Sequence, residues 1–221
     1  MLQRVYGWET QSLISCVALD WDVISFRNCA LCGAASDVFG DHLLCCQQNG
    51  IVRRHNAIVD QLARVTKAAG LPYTVDRAID VDHRQRPGDL ILPRWQGVSP
   101  LYIDVTITHP LALSNNWANI RSGREELLRS EEAKRCKYIN ILPLQDQLVV
   151  FGTTTFGQLS VGAENFLHDL AAIYSSAAPT AEEAEEDLEH IEQQLQLCLQ
   201  RQIARMLLTA FVPAAGEFEV Q

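Results

Sequence analysis

The chain places Cys29 and Cys32 two residues apart, then His42 after nine residues, then Cys45 and Cys46. Four zinc ligands therefore fall within fewer than 20 residues, the spacing of a zinc knuckle. Zn²⁺ favours thiolate and imidazole in a closed tetrahedron, and Gly33, Gly40 and Asp41 supply turns that let so short a loop wrap an ion. Only one of Cys45 and Cys46 can complete the set, and the spacing leaves open which. The alternative is that buried cysteines and a surface histidine cluster by chance. A Zn²⁺ held this way has no open coordination position, so it is structural: it makes a folded mini-module, not a catalyst.

A second constellation lies further on. Asp89 stands in Arg86-Pro87-Gly88-Asp89-Leu90-Ile91-Leu92, and Asp104 in Tyr102-Ile103-Asp104-Val105-Thr106-Ile107. A carboxylate at the edge of or inside an apolar strand is costly unless paired or coordinated. Two on consecutive strands invite a shared Mg²⁺ or Mn²⁺, which take oxygen ligands and keep room for water. Such a cation polarises a phosphodiester oxygen and lowers the pKa of a bound water, and a nearby lysine orients that water. Lys134 and Lys137 are the candidates; with Tyr138 they sit three and four residues apart, on one helical face. The plainer alternative has Asp89 capping a strand turn, Asp104 paired with an arginine and Lys134 with Glu131.

Arg54, His55 and Asn56 follow the knuckle at the start of a predicted helix, where a helix N-terminus and a guanidinium can both meet a phosphate. Capping by His55 and Asn56 with Arg54 solvated is the competing reading. His109 with Pro110 is similarly ambiguous, and His83, His168 and His190 carry no signal.

The elements that must position these groups follow from periodicity. Ile58, Leu62, Val65 and Ala69 fall on one helical face of 54–69, and Gly70, Leu71 and Pro72 stop it. Residues 73–76, 89–92 and 101–108 are rich in Ile, Leu, Val, Thr and Tyr and read as three strands. Residues 124–139 read as a helix, 148–155 as a strand, 161–174 as a helix, and 179–211 as a long helix opened by a Thr180/Glu183 capping box. The order is helix, three strands, helix, strand, then C-terminal helices: an α/β chain. Four regions result: 1–28 without an assigned role, a knuckle at 29–50, the main body at 51–176 and a helical tail at 177–221. Leu188, Ile191, Leu195, Leu199, Ile203 and Met206 line one side of that tail helix. Packing back onto the core is the common use of such a stripe, and self-association through paired helices the less common one.

The 221 residues carry 27 acidic and 18 basic side chains, a net charge of −9. That excludes a chain that coats nucleic acid by bulk charge. The acidity is local: Ala178 to Gln221 holds nine acids and two basic residues, a net −7 that leaves about −2 for the rest. Ile51 to Arg94 holds eight Lys or Arg against five Asp, so a basic face within the body remains open. Nothing approaches the roughly 18 apolar residues needed to span a bilayer, and the first 16 residues lack the features of a secretory signal. A soluble protein that is neither secreted nor membrane-bound is expected. The seven cysteines then read as metal ligands before disulfides.

Together these motifs resemble the restriction-like endonuclease region of site-specific non-LTR retrotransposons, within the PD-(D/E)XK nuclease superfamily. That group has a C-x2-C, His, Cys knuckle before an Arg-His-Asn helix, a Pro-Asp strand, a second Asp strand, and a displaced lysine with a tyrosine beyond it. The matching residues are Cys29, Cys32, His42 and Cys46; Arg54, His55 and Asn56; Pro87 and Asp89; Asp104; and Lys134 with Tyr138. The resemblance covers roughly 29–138. It departs where Gly88 separates Pro87 from Asp89, and where Thr106 holds the superfamily's usual lysine position. It implies a restriction-endonuclease-like core with Mg²⁺ or Mn²⁺ on Asp89, Asp104 and the Val105 carbonyl, and Lys134 assisting the attacking water. Arg54, His55, Asn56, Lys137 and Tyr138 would face the nucleic acid. The implied partner is DNA, the product a nick and the location nuclear. No Tyr-x-Asp-Asp or Phe-x-Asp-Asp polymerase motif occurs. An inactive relic that keeps the zinc module and binds DNA or a protein partner is the competing expectation.

Overall fold

A computed structural model describes residues 28–35, 40–75, 88–97, 99–112, 123–140, 142, 147–174 and 181–211. The expectations for 1–27, for Pro87 and for Thr180 of the capping box lie outside these residues. The described elements are five helices and four strands: α1 (Asp41–Cys45), α2 (Ile51–Ala68), β1 (Thr74–Val75), β2 (Leu90–Trp95), β3 (Ser99–Thr108), α3 (Gly123–Tyr138), β4 (Leu148–Thr154), α4 (Val161–Tyr174) and α5 (Ala181–Phe211).

The strands form one mixed sheet in the order β1-β2-β3-β4. The first three run antiparallel, and β4 joins parallel to β3, aligning Asp104 with Val150. A parallel partner needs a crossover longer than a hairpin; α3 lies in that connection. The register between β2 and β3 slips between Leu92 and Trp95, where Pro93 lacks a backbone N–H to donate. Beyond the bulge the chain turns through Gln96 and Gly97, both at positive φ.

Side chains alternate across the sheet with period two, and each face meets different helices. Leu90, Leu92, Leu101, Ile103, Val105 and Phe151 point into the main core, which α2 and α4 fill with residues such as Ile58, Leu62, Phe166 and Leu167. Tyr102, Leu148 and Val150 point the other way, against Tyr138 of α3 and Leu142. The helical face read from periodicity over 54–69 is therefore one of those that seal the sheet.

The acidic tail helix closes this same core. Ile191, Leu195 and Leu199 are buried in it, with Leu188 and Ile203 packed alongside. Gln61 Nε2 donates to Gln194 Oε1 at 2.7 Å, tying α2 to α5. The apolar stripe of α5 thus lies against the chain's own core. Among the described residues, no helix is long and apolar enough to cross a membrane.

Candidate metal centre and acidic site

The knuckle is built by tight backbone turns. Cys29 N–H donates to Ala34 O at 2.7 Å and Gly33 N–H to Cys29 O at 2.8 Å, with Gly33 at φ +74°. Gly40, also left-handed, turns the chain into α1, a five-residue helix too short to leave a periodic signal in the sequence. Cys29, Cys32, His42 and Cys46 end with their ligand atoms all within 4.8 Å of one another. Cys46 rather than Cys45 belongs to this group, which settles the choice the spacing left open.

The internal distances test the fit to zinc. Zn–S bonds of about 2.3 Å put tetrahedral sulfur edges at about 3.8 Å and sulfur–nitrogen edges at about 3.6 Å. Cys29 Sγ and Cys46 Sγ are 3.9 Å apart, and Cys32 Sγ and His42 Nε2 are 3.2 Å apart. The four residues fit a metal such as Zn²⁺. Burial pushes the Cys29 thiol up, but N–H donors of Cys32 and Leu31 and the side chains of Cys32 and His42 outweigh it and bring it to about 7. Burial and the adjoining Cys29 push Cys46 up to about 11. Two neighbouring sulfurs driven apart in this way need a cation before both become thiolates.

The module is clamped to the body from three sides. Arg54 Nη1 donates to Leu44 O at 3.0 Å. Asn49 Nδ2 donates to Leu43 O and, across to α5, to Met206 O at 2.9 and 3.0 Å. Buried His109 lies 3.0 Å from Asp41 Oδ1 and 2.7 Å from Thr155 Oγ1. Arg54 therefore departs from its expected role: only 3% exposed, it holds the knuckle's last helical turn and presents no surface guanidinium to a phosphate. Its neighbour His55 is turned elsewhere, because one residue along a helix rotates the side chain by about 100°.

Asp89 heads β2. Its own N–H donates to Ile103 O at 2.7 Å, and this close approach explains the glycine before it. A Cβ at position 88 would lie 2.8 Å from Ile103 O and 3.1 Å from Ile103 N and C, all backbone atoms. Asp89 Oδ2 accepts from Val105 N–H at 2.7 Å and lies 3.1 Å from His55 Nε2. That same nitrogen is 3.1 Å from Val105 O, and His55 Nδ1 is 3.2 Å from Asn56 Oδ1. With acceptors at both ring nitrogens, the hydrogen bond to Asp89 raises the His55 pKa against the opposing effect of burial. Burial pushes the Asp89 pKa up, but the His55 contact, the Val105 N–H and the Lys134 charge together hold it below the usual carboxylate value.

Asp104, 3% exposed, is held from α3. Lys134 Nζ lies 2.6 Å from Asp104 Oδ2, and the Tyr138 hydroxyl donates to Oδ1 at 2.7 Å. Lys137 Nζ stands 3.4 Å from the Tyr138 oxygen and 4.9 Å from its ring centre. Burial and the Asp104 and Asp89 charges push the Tyr138 pKa above the ordinary phenol value. The pairing of Lys134 with Glu131, or of Asp104 with an arginine, is not what the fold selects.

A register sets which residues of α3 meet Asp104. Residues of β3 on the α3 face recur every second position, and inward residues of α3 every fourth. Tyr102 meets Tyr138, Asp104 meets Lys134 and Tyr138, and Thr106 Oγ1 meets Ser130 Oγ at 3.1 Å. With the hydroxyl of Thr106 turned to Ser130, the amine beside Asp104 is that of Lys134 on the helix.

Asp104 is met by Lys134 and Tyr138, Asp89 by His55, and the Lys134 charge is felt at Asp89. Of the predicted residues, His55 is thus brought to Asp89, and Lys134 and Tyr138 to Asp104; Arg54 joins neither, and Asn56 is exposed beside His55. The contact of His55 with Asp89 has no signal in the sequence, since it joins residues 34 positions apart across a helix and a strand. Comparison with protein-family models and with curated proteins finds no match for this chain.

Proposed function

We propose that this chain is a metal-dependent DNA endonuclease domain with a restriction-endonuclease-like core, of retroelement origin, acting in the nucleus. The observation that carries the reading is the position of Lys134 against Asp104 while Asp89 is held one strand away by Val105 N–H. Hard oxygens of Asp89, Asp104 and the Val105 carbonyl suit Mg²⁺ or Mn²⁺. When bound, the cation polarises the scissile phosphate and acidifies a coordinated water. Lys134 contributes an ammonium at the carboxylate, placed to orient the attacking water or to stabilise charge as it develops on the phosphate. Tyr138 fixes Asp104 in the rotamer that meets this ammonium. Lys137, exposed beside Tyr138, and Asn56 supply contacts to the DNA backbone, and the zinc module fixes the start of α2.

Purified protein with supercoiled plasmid and Mg²⁺ or Mn²⁺ tests this directly. Nicking that is lost in Asp89→Ala and Asp104→Ala supports it, whereas absent nicking, or nicking unchanged by both substitutions, overturns it.

One observation favours a second reading. Asp104 already has an ammonium and a hydroxyl on its two oxygens, an arrangement a relic could keep as a buried tie without cutting. Salt-dependent DNA binding with no metal-dependent cleavage would select that noncatalytic, zinc-bearing module.

A further inference from the structure

The donor atoms beside Asp89 are not carboxylate alone. His55 Nε2 stands 3.1 Å from Asp89 Oδ2 and 3.1 Å from Val105 O, so three donor atoms from α2, the head of β2 and β3 converge. We infer that His55 is itself a metal ligand of the acidic site, which therefore prefers Mn²⁺ to Mg²⁺. This rests on the endonuclease reading and sharpens its cofactor.

Bond lengths support the inference. Neighbouring donors around an octahedral ion with bonds of about 2.1 Å are separated by about 3.0 Å, close to the two 3.1 Å separations from Nε2. Without a metal these contacts are one N–H shared between two acceptors; with the proton on the other nitrogen, a lone pair beside a carboxylate and a carbonyl makes one face of a coordination shell. Second, the other ring nitrogen has a partner: Nδ1 meets Asn56 Oδ1. Metal-bound histidines characteristically donate their second N–H to an oxygen, which fixes the tautomer and leaves the first nitrogen for the ion. Asn56 is then a positioning residue for the ligand.

The chemistry of the donors sets the ion. An imidazole donor favours first-row transition ions over Mg²⁺, which is bound through oxygen, and of the two cations of this site only Mn²⁺ belongs to that series, at its weak end. Mixed nitrogen and oxygen donors thus discriminate against Mg²⁺ without turning the site into a second zinc centre of thiolates.

The test uses the full chain with its Cys₃His group filled by one equivalent of Zn²⁺, titrated with Mn²⁺ and followed by pulsed electron paramagnetic resonance. The wild type should bind one Mn²⁺ with histidine nitrogen coupling, confirmed by a change in that coupling on isotopic labelling of histidine. His55→Asn, which keeps a donor to Asp89 but has no imidazole, should lose the coupling and weaken Mn²⁺ about tenfold, more than it weakens Mg²⁺. Mn²⁺ that binds only with Asp89 intact yet shows no histidine coupling overturns the role of His55 and leaves the endonuclease reading standing. Mn²⁺ binding that is absent or indifferent to Asp89→Asn overturns both. The wild-type spectrum needs no variant to fold, so the inference is decided either way.

Discussion

Thr106 and Ser130 share a side-chain hydrogen bond of 3.1 Å, and this contact sets which residues of α3 stand over Asp104. One helical turn beyond Ser130 comes Lys134, and one more turn brings Tyr138, so both reach the same carboxylate. The amine that meets Asp104 is thereby supplied by the helix, not by the strand that carries the carboxylate.

Removing Lys134 should cost both stability and cleavage. Lys134→Ala leaves a nearly buried Asp104 carboxylate without its counter-charge; because the amine is itself 30% exposed, the loss should be about 1–3 kcal/mol, below that of a fully buried pair. Urea unfolding measures it, and Lys134→Met, which keeps the volume, should lose nicking to a similar extent.

Tyr138→Phe deletes one hydrogen bond to a carboxylate and little else. A loss of about 1.5–3 kcal/mol is expected, with a partial rather than complete fall in nicking rate because Lys134 remains. Unchanged urea stability would show that the Asp104 contact is not formed in solution.

The His55 and Asp89 contact carries a pH signature. His55 has its pKa raised, so its contribution is complete below the unfolded value of about 6.5 and fades as pH rises through the folded one. Asp89 has its pKa lowered, so its contribution is complete above about 3.9 and fades as pH falls through the folded value. In metal-free protein, His55→Ala should therefore cost most stability between about pH 4 and 6.5, a window that denaturant melts across pH will reveal. A cost that is flat with pH contradicts the contact.

Metal loading of the knuckle should release protons. With Cys46 pushed up to about 11 and Cys29 at about 7, Zn²⁺ entering near pH 7 must displace at least the Cys46 proton, and affinity should weaken as pH falls. Calorimetry in buffers of different ionisation enthalpy counts the protons. Chelation should lower the melting temperature of the whole chain, because Arg54, Asn49 and His109 tie the module to α2, α5 and the sheet.

Much of the fold was legible from local pattern. The 3.6-residue stripe of α2, the β-branched strands and the α4 boundaries appear where periodicity puts them, since each element buries one regular face. What pattern does not carry is the destination of a side chain. Arg54 and His55 are adjacent and equally polar, yet one is drawn under the knuckle by Leu44 O and the other is turned to Asp89; only the packing of α2 against both decides this. The need for Gly88 is likewise invisible until Ile103 of the next strand lies against it. Gly88→Ala should force the strands apart at the head of β2, costing about 1–3 kcal/mol and displacing Asp89.

The most direct measurement is the rate of supercoiled plasmid nicking by the zinc-loaded chain in Mn²⁺, compared with Asp104→Asn, which preserves the size of the side chain. The account predicts metal-dependent nicking that falls at least about a hundredfold in the variant while its fold stays intact by circular dichroism. Nicking that is absent from the wild type, or equal in the two proteins, would contradict it.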